Sequence, residues 1–394
     1  MSGQLDSPIG GGPAPLPGGV GRRQTDGPRK RSDDPDHLTS PGPNGGPGAG
    51  YGTTAPLTVT SHDVARLAGV AQSTVSRALR GAPSVSSGTR ARVRAAAAEL
   101  GYTPSELGRS LVTRSTRTIG IVVTDLTSVF YPHVMAPLHD EVTAHGYRMV
   151  VFTDGLESNG PSDEAAIRRL LDRSIDGAVL TTSRLEGKVP RELARRGLPF
   201  VFLTRYVEDI AGDCAVVDNS LGASLMAAEV VRIGHRRVAV IFGPSDTSTG
   251  RDRDRGTRAA LAAAGVDLPE ERVQRGPFIY ETGYQSMGYL MALKPRPTVV
   301  ICANDTVAIA ALNAARSVGL RVPDDVSVVG FDDLPMAAWE VFQLTTIRQP
   351  MEEMARTAVR LLVDRIEGRV AVDDVRRVVF EPQLVIRQTL APPG

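Results

Sequence analysis

The sequence predicts an α/β protein in which a short all-α helix-turn-helix segment precedes a core of two doubly wound, Rossmann-like lobes. Between Leu57 and Thr118, apolar residues recur at helical spacing, glycines punctuate them, and arginines dominate the charge. From Thr118 onward, short Val/Ile-rich runs alternate with amphipathic stretches, the pattern of a parallel sheet covered on both faces. That alternation runs to the end of the chain, more than one sheet accommodates, so two lobes are expected.

In order along the chain, the first segment is a tail. Residues 1–52 contain 23 Gly or Pro, few apolar side chains and no period, so they bury too little surface to offset their ordering entropy. The tail is expected to be disordered over 1–56, and its Arg29-Lys30-Arg31 cluster is offset at once by Asp33, Asp34 and Asp36. Three helices are then expected within 57–103. The first begins near Ser61, turns Val64, Leu67 and Ala68 to one face and stops at Gly69. The second occupies Ala71 to Arg80 and ends at Gly81, with Val70, Val75 and Leu79 turned inward. Ser86 caps the third, which faces Val93, Ala96, Ala97 and Leu100 inward until Gly101.

The core strands are read at TIGIVV (118–123), YRMVVF (147–152), GAVLTT (177–182), PFVFL (199–203), CAVV (214–217), VAVIF (238–242), TVVICA (298–303) and VSVVGF (326–331). The formal charge of +1 is unevenly spread: Leu57 to Thr118 carries +6, the first 56 residues balance at zero, and the remainder sums to −5. A basic module on an acidic body points to a nucleic-acid partner for the module. Cys214 and Cys302 match no metal-ligand spacing and read as reduced, buried thiols, so no metal or other cofactor is expected. No apolar run approaches the roughly 18 residues of a membrane span, and the start lacks a basic-then-apolar leader, which predicts a cytoplasmic protein with no membrane partner.

Two short helices joined by a glycine turn form the motif whose second helix enters the major groove. On that helix the face opposite Val75 shows Gln72, Ser73, Ser76 and Arg77, all able to bond bases or phosphates, with Arg77 the natural guanine contact. The same pattern also fits a plain helical hairpin with a solvated polar face.

TSHDVARLAGVAQSTVSRALR (60–80), VSSGTRARV (85–93) and LGYTP (100–104) together resemble the headpiece of the lactose/galactose repressor family (LacI/GalR). The resemblance implies that Gln72, Ser73 and Arg77 read bases in double-stranded DNA, that Thr60, Ser76, Ser86 and Thr89 hold phosphates, and that Tyr102 packs the headpiece core. It makes 104–117 a hinge, with Leu111 as the wedge in the minor groove of a bent operator. Gly108 stands where the family usually has Ala, and glycine lowers helix stability by about 1 kcal/mol. The alternative for Leu111 is packing against the core.

Across 118–394 the resemblance implies the periplasmic-binding-protein-like fold, an effector site between the lobes and a homodimer on a pseudopalindromic operator. Open α/β sheets bind ligands beyond the C-terminal ends of their strands. Phe130 and Tyr131, the segment GRDRDRG (250–256) with a family-like R-x-x-G loop at Arg253 and Gly256, AND (303–305) and GFDD (330–333) all fall there. Arg253, Asp332 and Asn304 can pair with vicinal hydroxyls, with Phe130, Tyr131 and Phe278 as stacking walls, which suits a carbohydrate. Their structural alternatives are a turn cap for Asp332 and strand-end backbone for Asn304. Thr204 departs from the Asp or Asn usual in the family's sugar binders, leaving open an unusual or phosphorylated saccharide, a nucleobase or another polar metabolite. Thr247, Thr249 and Arg253 suit an anionic group.

The end of the chain, QTLAPPG, has no heptads, which predicts a dimer rather than a coiled-coil tetramer. Two rivals share the core: an extracytoplasmic solute-binding protein and a sugar-processing enzyme. No nucleophile elbow, phosphate loop or HExxH helix appears, so a non-enzyme is expected.

Overall fold

The computed structural model describes residues 59–103, 115–124, 126–153, 172 and 174–394, all within one compact unit, Val59–Gly394. The expected tail 1–56 and the hinge positions Gly108 and Leu111 lie outside the described residues.

Three helices open the described chain: α1 (Ser61–Ala68), α2 (Gln72–Leu79) and α3 (Ser87–Glu99). The start of α1 is tied by Asp63, whose Oδ2 accepts from Thr60 N–H (2.9 Å) and Thr60 Oγ1 (2.7 Å). Gly69 ends it at φ +62°, a left-handed conformation that glycine adopts without a Cβ penalty. Ser86 caps α3 by accepting from Thr89 N–H at 3.3 Å. Val64, Ala65, Ala68, Val75, Ala78, Val93, Ala96 and Ala97 form the buried centre, flanked by Val70, Leu79, Leu100 and Tyr102. Leu67 is a correction: it stays 47% exposed while Ala65 takes the inward place. In so short a helix the two neighbouring helices are met by Val64, Ala65 and Ala68, and the small alanines let the backbones approach.

The larger sheet is parallel, in the order β11-β5-β4-β3-β1-β2, from β1 (Thr118–Val123), β2 (Arg148–Thr153), β3 (Gly177–Leu180), β4 (Phe200–Leu203), β5 (Asp213–Val217) and β11 (Arg377–Phe380). The four central strands β1, β3, β4 and β5 are buried throughout. Strand β2 was expected to be buried on both faces, but it lies at the sheet edge and its residues are exposed or half-buried. Helices α4 (Phe130–Ala144) and α5 (Lys188–Arg196) connect strands of this sheet.

The smaller sheet is also parallel, β7-β6-β8-β9, from β6 (Val238–Phe242), β7 (Val273–Arg275), β8 (Val299–Cys302) and β9 (Ser327–Val329). With it go α6 (Asn219–Arg232), α7 (Ser248–Ala263), α8 (Tyr280–Ala292) and α9 (Asp305–Ser317). Gly256 lets α6 and α7 touch, because a Cβ there would sit 2.1 Å from Ser220 O. The segment 250–256, read from the sequence as a loop, is helical inside α7: Thr247 caps it by accepting from Gly250 N–H at 3.1 Å.

The chain passes between lobes after β5, then again where α10 (Met351–Ile366) returns to pack on β3, β4, β5 and α4. A third passage follows β11, where β12 (Gln383–Val385) pairs antiparallel with β10 (Thr346–Arg348). Strands β7, β10, β11 and β12 were not read from the sequence. Near the return, Asp213 is fully buried and accepts two bonds from Arg365 (both 2.8 Å) and one from Arg376 Nη2 (3.0 Å). Burial works against its charge, yet the two guanidinium groups hold its carboxyl below the ordinary range.

Candidate functional sites

Helix α2 is two-sided by construction. Val75 and Ala78 are buried, which turns Gln72, Ser73, Ser76 and Arg77 to solvent along the other face. These side chains bond locally: Gln72 Nε2 to Ser61 Oγ (3.0 Å), Arg77 Nε to Ser73 O (3.3 Å) and Arg80 Nε to Ser76 O (3.1 Å). All are exposed bonds that a base edge or phosphate can replace at little net loss. Thr60 and Ser86 are already engaged as helix starts, and Thr89 Oγ1 accepts from Ser86 Oγ at 3.0 Å. Arg90 is different in kind: it is half-buried and donates to Ala82 O and Val85 O (both 3.1 Å), fastening the turn between α2 and α3.

The second site is a cleft of about 140 Å³ beyond the C-terminal ends of the strands of both sheets. All eight residues singled out from the sequence line it: Phe130, Tyr131, Thr204, Thr249, Arg253, Phe278, Asn304 and Asp332. At its base Arg253 is 7% exposed, and each of its three nitrogens donates a hydrogen bond. It donates from Nε to Asn219 Oδ1 (2.8 Å), from Nη1 to Ala303 O (2.7 Å) and from Nη2 to Asp332 Oδ1 (3.1 Å), and its Cζ lies 3.6 Å from the centre of the Phe331 ring. Burial lowers its proton affinity, with Asp332 opposing. Gln349 Nε2 donates to the same Asp332 oxygen at 2.8 Å, which leaves Oδ2 without a hydrogen-bond partner among the described residues.

Asn304 does two jobs. Its carbonyl caps α9 by accepting from Val307 N–H (2.9 Å), a helix start rather than the strand-end backbone of the structural alternative, while its amide N–H groups have no partner among the described residues. Asp332 caps no turn. Tyr131 is 5% exposed, and its hydroxyl is taken by Thr124 N–H (3.0 Å) and Thr124 Oγ1 (2.7 Å), so it holds the cleft wall rather than offering a free group. Phe130 meets it edge to face at 5.8 Å. Phe278 lies on Gly243, where a Cβ would come within 2.4 Å of the ring. Thr204 adopts φ +69° and donates to Thr181 O at 3.2 Å. Asn and Asp reach that left-handed region with less strain than a β-branched residue such as Thr204 does.

Sequence reasoning missed Asn219, Gln349 and Arg205, and gave Asp305, within the segment 303–305, no role of its own. Asp305, at the first turn of α9, is fully buried and accepts from Thr346 Oγ1 (2.5 Å) and Leu334 N–H (2.8 Å). Burial and the Asp332 carboxylate push its carboxyl up to about 7. Away from the crossovers the lobes are tied together: Tyr206 N–H donates to Ser248 Oγ (3.0 Å), Tyr206 OH to Asp252 Oδ2 (2.8 Å), and Arg251 to both oxygens of Glu208 (3.0 Å each).

Residues 60–105 match the profile of bacterial regulatory proteins of the lacI family, and residues 227–390 match the periplasmic binding protein-like domain. The chain is 35% identical over 333 residues to the HTH-type transcriptional regulator CelR of Thermobifida fusca, covering 83% of this chain and 96% of that one. It is 32% identical to the ribose operon repressor of Haemophilus influenzae, covering 84% and 98%. Among solved structures, a lac repressor dimer bound to operator and the anti-inducer ONPF superposes with a TM-score of 0.74 at 28% identity, over 84% of this chain and 98% of that one. The CelR–cellobiose complex superposes with a TM-score of 0.64 at 33% identity, over 84% and 99%.

Proposed function

The chain belongs to the LacI family of bacterial regulatory proteins, and from that premise we propose that it is a transcriptional repressor, working as a homodimer on a pseudopalindromic operator, whose DNA affinity is set by a small polar effector held between its lobes. The observation that carries this reading is the exposed polar face of α2, with Gln72, Ser73 and Arg77 presented by a helix whose other side is anchored in a buried core. A protein that only captured solutes would leave that face without a task. The family consists of regulators rather than enzymes, and the cleft is read as a binding site without turnover.

In the cleft, Asp332 Oδ2, the Asn304 amide and the Gln349 side chain meet ligand hydroxyls, and Phe278 and Phe130 cover the apolar face of a ring; a carbohydrate-like ligand satisfies both. Closing on that ligand changes the angle between the lobes, and with it the spacing of the two hinges that precede β1 in the dimer. The surface on which two copies associate is the aromatic face of the smaller-sheet lobe. There Tyr280, Tyr284, Trp339 and Val341 are all 40% or more exposed, and a hydrogen bond from Arg316 to Val341 O (2.7 Å) ties α9 to the Trp339 segment. No helix among the described residues is long and apolar enough to cross a membrane, and a cytoplasmic location fits a DNA-binding repressor.

The test is retardation of DNA fragments from the region upstream of the chain's own gene. Binding should be retained by the unmodified protein, and Arg77→Ala should weaken it by about 1–3 kcal/mol and relax discrimination at one base pair of each half-site. If the Arg77→Ala protein shows unchanged base preference on a mutated operator panel, α2 does not read bases through that residue.

A further inference from the structure

We propose that the effector of this cleft is a polyol bearing an anionic group, a phosphate ester or a carboxylate, seated against Arg205. The proposal rests on the repressor reading above and deepens it by naming the ligand class.

Among the described residues, the charges that line the cleft do not cancel. Arg184 pairs with Asp246 at 3.1 Å, and Arg253 pairs with Asp332 at 3.1 Å. Arg205 has no carboxylate partner among the described residues. It is half-buried, and its guanidinium carbon lies 5.4 Å from the centre of the Phe278 ring. A guanidinium stacked on an aromatic face keeps its N–H edge free, and that edge matches the paired oxygens of a phosphate or carboxylate. Its charge also bears on Arg253, whose proton affinity it lowers after burial and against the pull of Asp332. An incoming anion would offset the repulsion between the two guanidinium groups.

The same end of the cleft has further donors. Thr247 and Thr249 are 3% and 6% exposed at the start of the 16-residue helix α7. The Thr247 hydroxyl is committed to Pro244 O and Gly250 N–H, but Thr249 Oγ1 has only a 3.4 Å contact with Thr247 and is free to donate. Thr204, the neighbour of Arg205 in the cleft wall, is itself uncharged and does not oppose an anion there. The hydroxyl-binding groups Asp332, Gln349 and Asn304 belong to the Arg253 side of the cleft. One cleft thus offers a guanidinium for an anion and amide and carboxylate groups for hydroxyls, and together these define the ligand class.

The experiment is calorimetry on the full chain with glucose 6-phosphate, fructose 1-phosphate, glucuronate, glucose, fructose, ribose and inorganic phosphate. At least one anionic sugar should bind about tenfold or more tightly than its neutral parent, and the preference should shrink as salt rises. R205Q should remove that preference and R205K should retain part of it, with circular dichroism and melting confirming both variants as folded. Equal or tighter binding of glucose or ribose overturns the proposal, as does binding of no anionic sugar, binding of inorganic phosphate alone, or an R205Q protein that still prefers the anion. Operator retardation by the ligand-free chain is measured in parallel. Retarded DNA with a silent anionic panel removes only the ligand class, whereas a chain that retards no DNA removes the repressor reading itself.

Discussion

Arg253, Asp332 and Asp305 form a chain of buried charge in which only two of the three find a direct ionic match. Asp332 answers Arg253, and Asp305 is held by a hydroxyl and a backbone N–H instead. A carboxyl raised to about 7 in the folded state, against roughly 3.9 when unfolded, keeps its proton longer in the native protein. Folding stability through this group is therefore complete below the unfolded value and declines as pH rises toward 7. His133 and His235 act in the opposite sense: burial lowers both, so they withdraw stability as pH falls below about 6.5. The two trends separate by substitution, because Asp305→Asn leaves both imidazoles in place. The difference in unfolding free energy, variant minus parent, should rise between pH 5 and about 7 and then flatten, measured by urea titration at each pH. A flat difference across that window would show that Asp305 is ionised throughout.

At the scale of the element, the contact of α6 with α7 sets how Arg253 and Asn219 meet, since each helix supplies one of them. Ser224 Oγ donates to Gly256 O at 3.0 Å, and the backbone of Ser220 occupies the space of any Cβ at Gly256. Backbone does not yield as a side chain does, so Gly256→Ala should destabilise the protein by about 1–3 kcal/mol or more in chemical denaturation and loosen ligand binding with it. Wild-type stability for this variant would show that the helices can slide apart freely. The elements also show where sequence patterning stops working. The central strands were legible because they are continuous apolar runs of four to six residues. Strands β7, β10 and β12 are three residues long with a polar or charged residue in each, and β11 begins with Arg377 at an edge. Such pieces pair because the chain passes nearby, a tertiary cause that no local window contains.

For the whole molecule, a two-fold operator demands two headpieces, and the aromatic face of the smaller-sheet lobe is where the second copy is proposed to dock. Trp339→Arg combined with Tyr280→Lys should shift sedimentation at micromolar concentration to the monomer. It should also weaken binding to a palindromic fragment by about 10²–10⁴-fold, the advantage of linking two half-site readers. A double variant that still sediments as a dimer would place the interface elsewhere. The cleft was readable from the sequence at its strand ends, where motif residues such as Arg253, Asn304 and Asp332 fall at predictable places. Asn219 and Gln349 were not, because each reaches the site from a different crossover, 34 residues before Arg253 and 17 after Asp332. Arg205 was hidden for a further reason: its meaning lies in the carboxylate it lacks.

Tyr206, Ser248, Asp252, Arg251 and Glu208 fasten one lobe to the other. These bonds oppose opening of the cleft whatever it holds. A metabolite that merely reinforces this clasp has little left to move, because a ligand shifts an equilibrium only by its unequal preference for the two forms. The strength of these few bonds at rest therefore fixes how wide a range of gene output any signal molecule can command.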